Sequence, residues 1–268
     1  MRPIILIPSR LNSTRLPNKP LALISGVPMI VHVWRRAMEA KIAEVAVACD
    51  NEAIEREITQ AGGKAIMTDP NLPSGSDRIF AALKELDPRK QFDVVVNVQG
   101  DMPTLDPALI SKSIAMLDNK TVDIATLAAP IRNKQERTDP AVVKVVLSRI
   151  QDAGFRIQGK EKNLASPESR IPNPESYRAL YFSRATVPYG DGPLYHHVGL
   201  YAYRRESLEK FVGLPPSPLE LREKLEQLRA LEAGMHIEVG IVEEAPLGVD
   251  TPVTLERARA MMRWSQSA

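Results

Sequence analysis

The sequence predicts an α/β fold: a Rossmann-like, mostly parallel central sheet flanked by helices, with a smaller protruding lobe. Three observations carry this. In the first half, short β-branched runs alternate with segments of helical period, the pattern of strands joined by crossover helices. The connections between them are short, which favours a single compact unit over residues 1–268. In the second half, further strand-like runs surround a long polar stretch, which places a lobe at about residues 122–204 with an extended excursion at 151–180.

Taken in order, Ile4–Ile7 forms a first buried strand. Met29, Ile30, Val33, Trp34, Ala37 and Met38 recur at helical spacing, with Pro28 suited to the first turn. Val45–Cys49 is a second strand, followed by Asp50 as the expected cap of a helix through Ile54 and Ile58. Lys64–Thr68 is a third strand, and Ser76 or Asp77 is positioned to cap the next helix. Val94–Val98 is the strongest strand signal and stops at Gly100-Asp101. Later runs at Val122–Ala128, Val142–Leu147, Tyr181–Ala185, Val198–Tyr203 and Ile237–Val242 read as strands. Leu219–Leu231 reads as one amphipathic helix stopped by Gly234, and Pro252 opens a last helix.

Composition narrows the function class. Lys and Arg number 35 against 33 Asp and Glu, so the net charge of +2 offers no bulk attraction for nucleic acid. Cys49 is the single cysteine, which excludes an internal disulfide and suits a reducing compartment. The apolar run Ile4–Ile7 is far shorter than the roughly 20 residues of a membrane span, and shorter than a secretory signal. A cytoplasmic protein without membrane insertion is expected.

Four segments carry chemistry. Pro8-Ser9-Arg10-Leu11-Asn12-Ser13-Thr14-Arg15-Leu16-Pro17-Asn18-Lys19-Pro20 directly follows the first strand, where open α/β sheets bind ligands. Arg10, Arg15 and Lys19, with hydroxyls such as Ser13 and stiffening prolines, suit a triphosphate; the same residues could also form a solvated basic loop. The loop has no glycine, so it is neither a Walker loop nor a dinucleotide fingerprint, which argues against a nicotinamide-dependent dehydrogenase. Leu72–Arg78, with Ser74, Gly75, Ser76 and Arg78, offers hydroxyls and a helix N-terminus to an acceptor-rich group, or is a plain helix cap. Asp101, beside a glycine turn at a strand's carboxyl end, can hold Mg²⁺ against phosphates. Asp250, in Gly248-Val249-Asp250-Thr251-Pro252, is a second such aspartate or a helix N-cap.

Ile7–Leu21 resembles the nucleotide-binding signature of the sugar-acid cytidylyltransferases, above all those acting on 3-deoxy-D-manno-octulosonate (Kdo). Ser74–Arg78 is similar to their Ser-Gly-Thr-Asp-Arg segment, with Ser76 in place of the threonine. Tyr181–Ala185, His197–Arg204 and Leu225–Arg229 resemble three further family segments. The resemblance implies that Arg10 and Lys19 contact the phosphates of CTP with help from Arg15, and that Asp101 and Asp250 hold Mg²⁺. It implies that Gln99, His197, Tyr201, Glu226 and Gln227 face the sugar. The implied reaction is attack of the Kdo anomeric hydroxyl on the α-phosphate of CTP, releasing pyrophosphate and yielding CMP-Kdo for lipopolysaccharide synthesis. A homodimer formed through the lobe is implied as well.

Beyond Ser76 there are three departures from the family pattern. Met102 stands where the family usually has glutamate, the 151–180 stretch is longer than in many members, and Val187–Pro193 lacks an arginine often found there. The rival readings are a cytidylyltransferase for another acid, such as 8-amino-Kdo or a sialic acid, and a CTP-binding regulator without catalysis.

Overall fold

The structure is a computed structural model and describes residues 1–149 and 176–264. The first half follows the expected alternation. Strand β1 (Pro3–Ser9) leads through a loop and a short hairpin, β2 (Leu23–Ile24) and β3 (Val27–Pro28), into α1 (Met29–Glu39). Then come β4 (Glu44–Cys49), α2 (Glu52–Gln60), β5 (Lys64–Met67), α3 (Gly75–Leu86) and β6 (Val94–Asn97). The second half contains α4 (Ala108–Ala115), β7 (Ile124–Pro130), α5 (Lys134–Thr138), β8 (Lys144–Arg149), β9 (Ser176–Ser183) and β10 (Tyr195–Arg204). It ends with α6 (Arg205–Gly213), α7 (Pro218–Glu223), α8 (Gln227–Glu232), β11 (Ile237–Ile241) and α9 (Pro252–Trp264).

Nine of these strands join in one sheet, in the order β5-β4-β1-β6-β10-β7-β11-β9-β8. The α/β expectation holds, but the sheet is mixed and not mostly parallel. β5, β4, β1 and β6 run parallel, joined by helices. β10 then inserts antiparallel between β6 and β7, and β9 lies antiparallel to both β11 and β8. Hydrophobic periodicity marks a strand but not its direction, and so it could not show the reversal at β10. The strands of residues 122–204 also belong to this sheet, with β7 and β10 in its interior. Most of the 151–180 excursion lies outside the described residues, and Ser176–Leu180 opens β9 instead of a polar loop.

Apolar side chains cover both faces of the sheet. Ile5, Ile7, Val47, Val96 and Leu127 pack with α1, α2 and α4 on one face. Ile4, Leu6, Val95, Tyr203 and Val239 pack with α3, α6 and α8 on the other. Successive β1 residues thus feed opposite cores, which is why Ile4–Ile7 reads as an unbroken apolar run. Strand order reverses at β1: β4 and β5 extend to one side and β6 to the other. That switch opens a crevice at the strands' carboxyl ends.

Three local expectations are corrected. Asn51, not Asp50, caps α2, its side chain accepting from the Ala53 amide. Ser74, not Ser76 or Asp77, caps α3. The helix expected over Leu219–Leu231 is two helices. α7 closes at Lys224, in the left-handed region at φ 57°, and α8 starts at Gln227. The Glu220 carboxylate, paired with Arg229 at 2.6 Å, clamps the two helices together.

A buried ion pair closes the far end of the molecule. Asp87 accepts from the Gln91 and Phe92 amides, and Arg205 Nη1 binds it at 2.6 Å. Burial alone would raise the Asp87 carboxyl pKa, but those three donors hold it below its ordinary value. Its contribution to stability is therefore complete above the unfolded-state value of about 3.9, and is lost as pH falls through the lower folded-state value. Asp87→Ala is expected to cost about 3–5 kcal/mol by urea unfolding, because it strands a buried guanidinium. It should also flatten the loss of stability seen in acid.

Candidate active site

The loop leaving β1 forms one wall of the crevice. Its start is fixed by Asp50 at the end of β4, whose carboxylate accepts from the Leu11 amide at 2.9 Å. Asp50 also faces Arg78 of α3 at 3.7 Å, and both side chains are buried. Arg78 donates further to Thr68 Oγ1 at 2.6 Å. Asp50 thus ties the loop to α3. The sequence reading treated it only as a cap, because nothing in a local pattern links position 50 to positions 11 and 78.

Farther along, the loop closes in a short 3-10 turn, Lys19–Leu21, with Asn18 left-handed at φ 52° and Pro20 buried. This turn aims Lys19 across the crevice. Its Nζ lies 2.7 Å from Asp101 Oδ2 and 2.8 Å from Asp250 Oδ1, and Arg15 Nη2 lies 2.9 Å from Asp250 Oδ2. Burial works to lower the Lys19 pKa, yet Asp101, then Asp250, carry it above its usual value. Burial likewise opposes ionisation of Asp250, but hydrogen bonding and charge from Lys19, then Arg15, lower its pKa. Asp250 is not a helix cap: Thr254 Oγ1 accepts from the Asp250 and Thr251 amides, leaving the Asp250 carboxylate for the crevice.

The opposite wall is the N-terminus of α3. Ser74 and Gly75 face a cavity of about 800 Å³ that also receives Arg10, Ser13, Arg15, Lys19, Arg78, Gln99, Asp101 and Asp250. Arg10 is exposed there, with no ion pair among the described residues. Gly100 is required by close approach, since a Cβ on it would lie 2.8 Å from the Pro8 carbonyl oxygen. The two aspartates, the basic loop and the serine–glycine turn, far apart in sequence, line this one cavity.

The residues assigned to the sugar form a second, more buried cluster. His197 stacks edge-on against Phe182, with ring centroids 4.9 Å apart, and lies 5.4 Å from the Tyr201 ring. Thr126 Oγ1 lies 2.8 Å from the Leu200 carbonyl and 3.0 Å from His197 Nε2. Donation to the carbonyl and acceptance from Nε2–H of a neutral imidazole satisfies all three groups. Burial, reinforced by His196, lowers the His197 pKa to about 3. Glu226, just before α8, accepts from Ser76 Oγ at 2.8 Å, and Gln227 beside it is buried. Gln99 lies at the seam between the two clusters, with Gly75 on one side and Gly199 on the other.

The structure therefore divides the α3 motif. Ser76 points to Glu226 and is absent from the cavity wall formed by Ser74, Gly75 and Arg78. Met102, where a glutamate was the family expectation, is buried in the apolar core. Arg184 is held by the carbonyls of Glu223 and Pro140, so it is no substitute for the missing arginine. Among the described residues no group of three or more His, Cys, Asp or Glu is arranged to hold a metal, and no helix is long and apolar enough to cross a membrane.

The cytidylyltransferase family model matches residues 4–237. The 3-deoxy-manno-octulosonate cytidylyltransferases of Methylobacterium sp. (strain 4-46) and Parvibaculum lavamentivorans are each 56% identical over 260 residues. These alignments span 97% of this chain and 96% and 92% of the relatives. A solved CMP:2-keto-3-deoxy-manno-octonic acid synthetase complexed with CTP superposes with a TM-score of 0.82 at 38% identity, covering 99% of this chain and all of that one. A 4-diphosphocytidyl-2C-methyl-D-erythritol synthase from Anaerococcus prevotii, at 14% identity and a TM-score of 0.61, shares the fold. At these identities and coverages, the chain belongs to the cytidylyltransferase family, among the 3-deoxy-manno-octulosonate cytidylyltransferases.

Proposed function

We propose that this chain transfers the cytidylyl group of CTP to Kdo, giving CMP-Kdo and pyrophosphate. The observation that carries the reading is the convergence of Asp101 and Asp250 on one cation, the Lys19 ammonium, at the floor of a cavity lined by arginines. The anomeric hydroxyl of the sugar forms a bond to the α-phosphorus as the bond to the β-phosphate oxygen breaks. Such a transfer depends on alignment and charge neutralisation more than on a covalent nucleophile.

The chain's own residues divide that work. Arg10 and Lys19 bind the β and γ phosphates and stabilise the charge that departs with pyrophosphate, with Arg15 and Ser13 beside them. Ser74, Gly75 and Arg78 border the nucleoside side of the cavity. Gln99, His197, Tyr201, Glu226 and Gln227 orient the sugar. His197, with its low pKa, is a poor proton acceptor at neutral pH and acts by hydrogen bonding.

The donor set fits Mg²⁺. Two carboxylates already converge on a single positive charge at 2.7 and 2.8 Å, and Mg²⁺ is commonly held by one or two carboxylates plus phosphate oxygens. Asp101 and Asp250 would hold it, and it would supply charge neutralisation at the phosphates and acidify the attacking hydroxyl.

Similarity to 3-deoxy-manno-octulosonate cytidylyltransferases at 56% identity favours Kdo over 8-amino-Kdo or a sialic acid, and the product would serve lipopolysaccharide synthesis in the cytoplasm. Leu180 on β9 and Leu221 on α7, both exposed, and the fully exposed Tyr189 support a homodimer through this half of the chain. Light scattering at micromolar protein should give twice the 29.7 kDa chain mass; a monomer would refute the dimer.

The test of function is pyrophosphate release from CTP with Kdo, 8-amino-Kdo and a sialic acid offered in parallel. Kdo should give the highest kcat/KM, and Asp101→Asn should lower kcat by about 10²-fold or more in saturating Mg²⁺. Equal or better turnover of another acid would reassign the acceptor. Near-normal turnover by the variant would remove Asp101 from the chemistry.

A further inference from the structure

Ser76 belongs by sequence to the serine–glycine motif on the nucleotide side, but its side chain points elsewhere. Successive residues of a helix are rotated by about 100°, so the first turn of α3 presents different faces. Ser74 caps the helix and lines the cavity with Gly75, while Ser76, 1% exposed, donates to Glu226 Oε1 at 2.8 Å. Glu226 reaches this position because the left-handed Lys224 breaks the chain between α7 and α8 and turns residues 225 and 226 toward α3.

The other carboxylate oxygen, Glu226 Oε2, is buried and has no hydrogen-bond partner among the described residues. A buried carboxylate oxygen left unpaired is costly, which marks a position where a donor belongs. Hydroxyl donors stand near it, but none bonds to it: Ser74 Oγ donates to Asp77, Asp77 is itself an acceptor, Arg229 of α8 is engaged with Glu220, and the Tyr201 and Tyr203 hydroxyls of β10 make no hydrogen bond to Oε2. A sugar hydroxyl is a donor of the right kind.

We propose that Ser76 is a positioning residue for the acceptor sugar: by occupying Oε1 of Glu226 it aims Oε2 at a sugar hydroxyl, so that α3 organises the nucleotide subsite with its first residues and the sugar subsite with the next. This rests on the reading of Glu226 as a sugar contact. The arrangement gives the two substrates a shared rigid element and makes Ser76 a determinant of the acceptor, not of CTP. Burial raises the Glu226 pKa, and the nearby Ser74 and Ser76 hydroxyls oppose that rise. Loss of the Ser76 hydroxyl should therefore raise it further.

Steady-state kinetics of Ser76→Ala, Ser76→Cys, Ser76→Thr and Glu226→Gln test this. For Ser76→Ala, KM for Kdo should rise about tenfold or more, as for loss of a hydrogen bond to a charged group, with KM for CTP nearly unchanged. The acid limb of kcat/KM for Kdo should move to higher pH. Ser76→Thr should restore both, and Ser76→Cys, which keeps the volume with a weak donor, should fall between. A rise confined to KM for CTP, or an unchanged KM for Kdo alongside a strong Glu226→Gln effect, overturns the role of Ser76. An unchanged KM for Kdo in Glu226→Gln instead overturns the reading of Glu226 on which the proposal stands.

Discussion

The contact on which the rest of the site depends is the one between the Lys19 ammonium and the two carboxylates of Asp101 and Asp250. It joins three parts of the chain that share no local neighbourhood: the loop after β1, the turn after β6 and the segment before α9. Two carboxylates facing one point repel each other unless a cation lies between them. The ammonium supplies that cation, raises its own pKa in doing so and keeps Asp250 ionised. The site is thus preorganised for positive charge, and Lys19 is part of its architecture.

Around that contact the fold separates two tasks. The parallel strands and the switch at β1 create an open polar cavity suited to a triphosphate. The antiparallel β10 carries His197 and Tyr201 into a dry cluster suited to a rigid acceptor. α3 lies between them, tied to the loop after β1 through the Asp50–Arg78 pair and to the buried cluster through Ser76 and Glu226.

Much of this was legible in the sequence where the signal is local. The β1 loop, the Gly-Asp turn at Asp101 and the His197 strand each announce themselves within a few residues, and motif resemblance joined them into one activity. What could not be read depends on contacts at long range or on direction. The antiparallel insertion of β10 leaves no trace in periodicity. The break at Lys224 is set by tertiary clamping through Glu220 and Arg229, in a stretch whose amphipathic pattern runs straight through it. Asp50 and Ser76 were each given a helix-capping role that a neighbour, Asn51 or Ser74, fills better. Capping rules rank residue types, whereas the long-range partners Leu11 and Glu226 decide which side chain is free to cap.

The central claim, that Lys19 holds the two aspartates in a cation site, is tested most directly by the thermal stability of Lys19→Met with and without millimolar Mg²⁺. Without Lys19, among the described residues only Arg15, on Asp250, offsets the two carboxylates, and no cation joins Asp101 to Asp250. The variant should melt lower than the parent, and Mg²⁺ should raise its Tm by more than it raises the parent's, through preferential binding to the folded state. Equal Mg²⁺ shifts in the two proteins, or no loss of stability in the variant, would contradict the account.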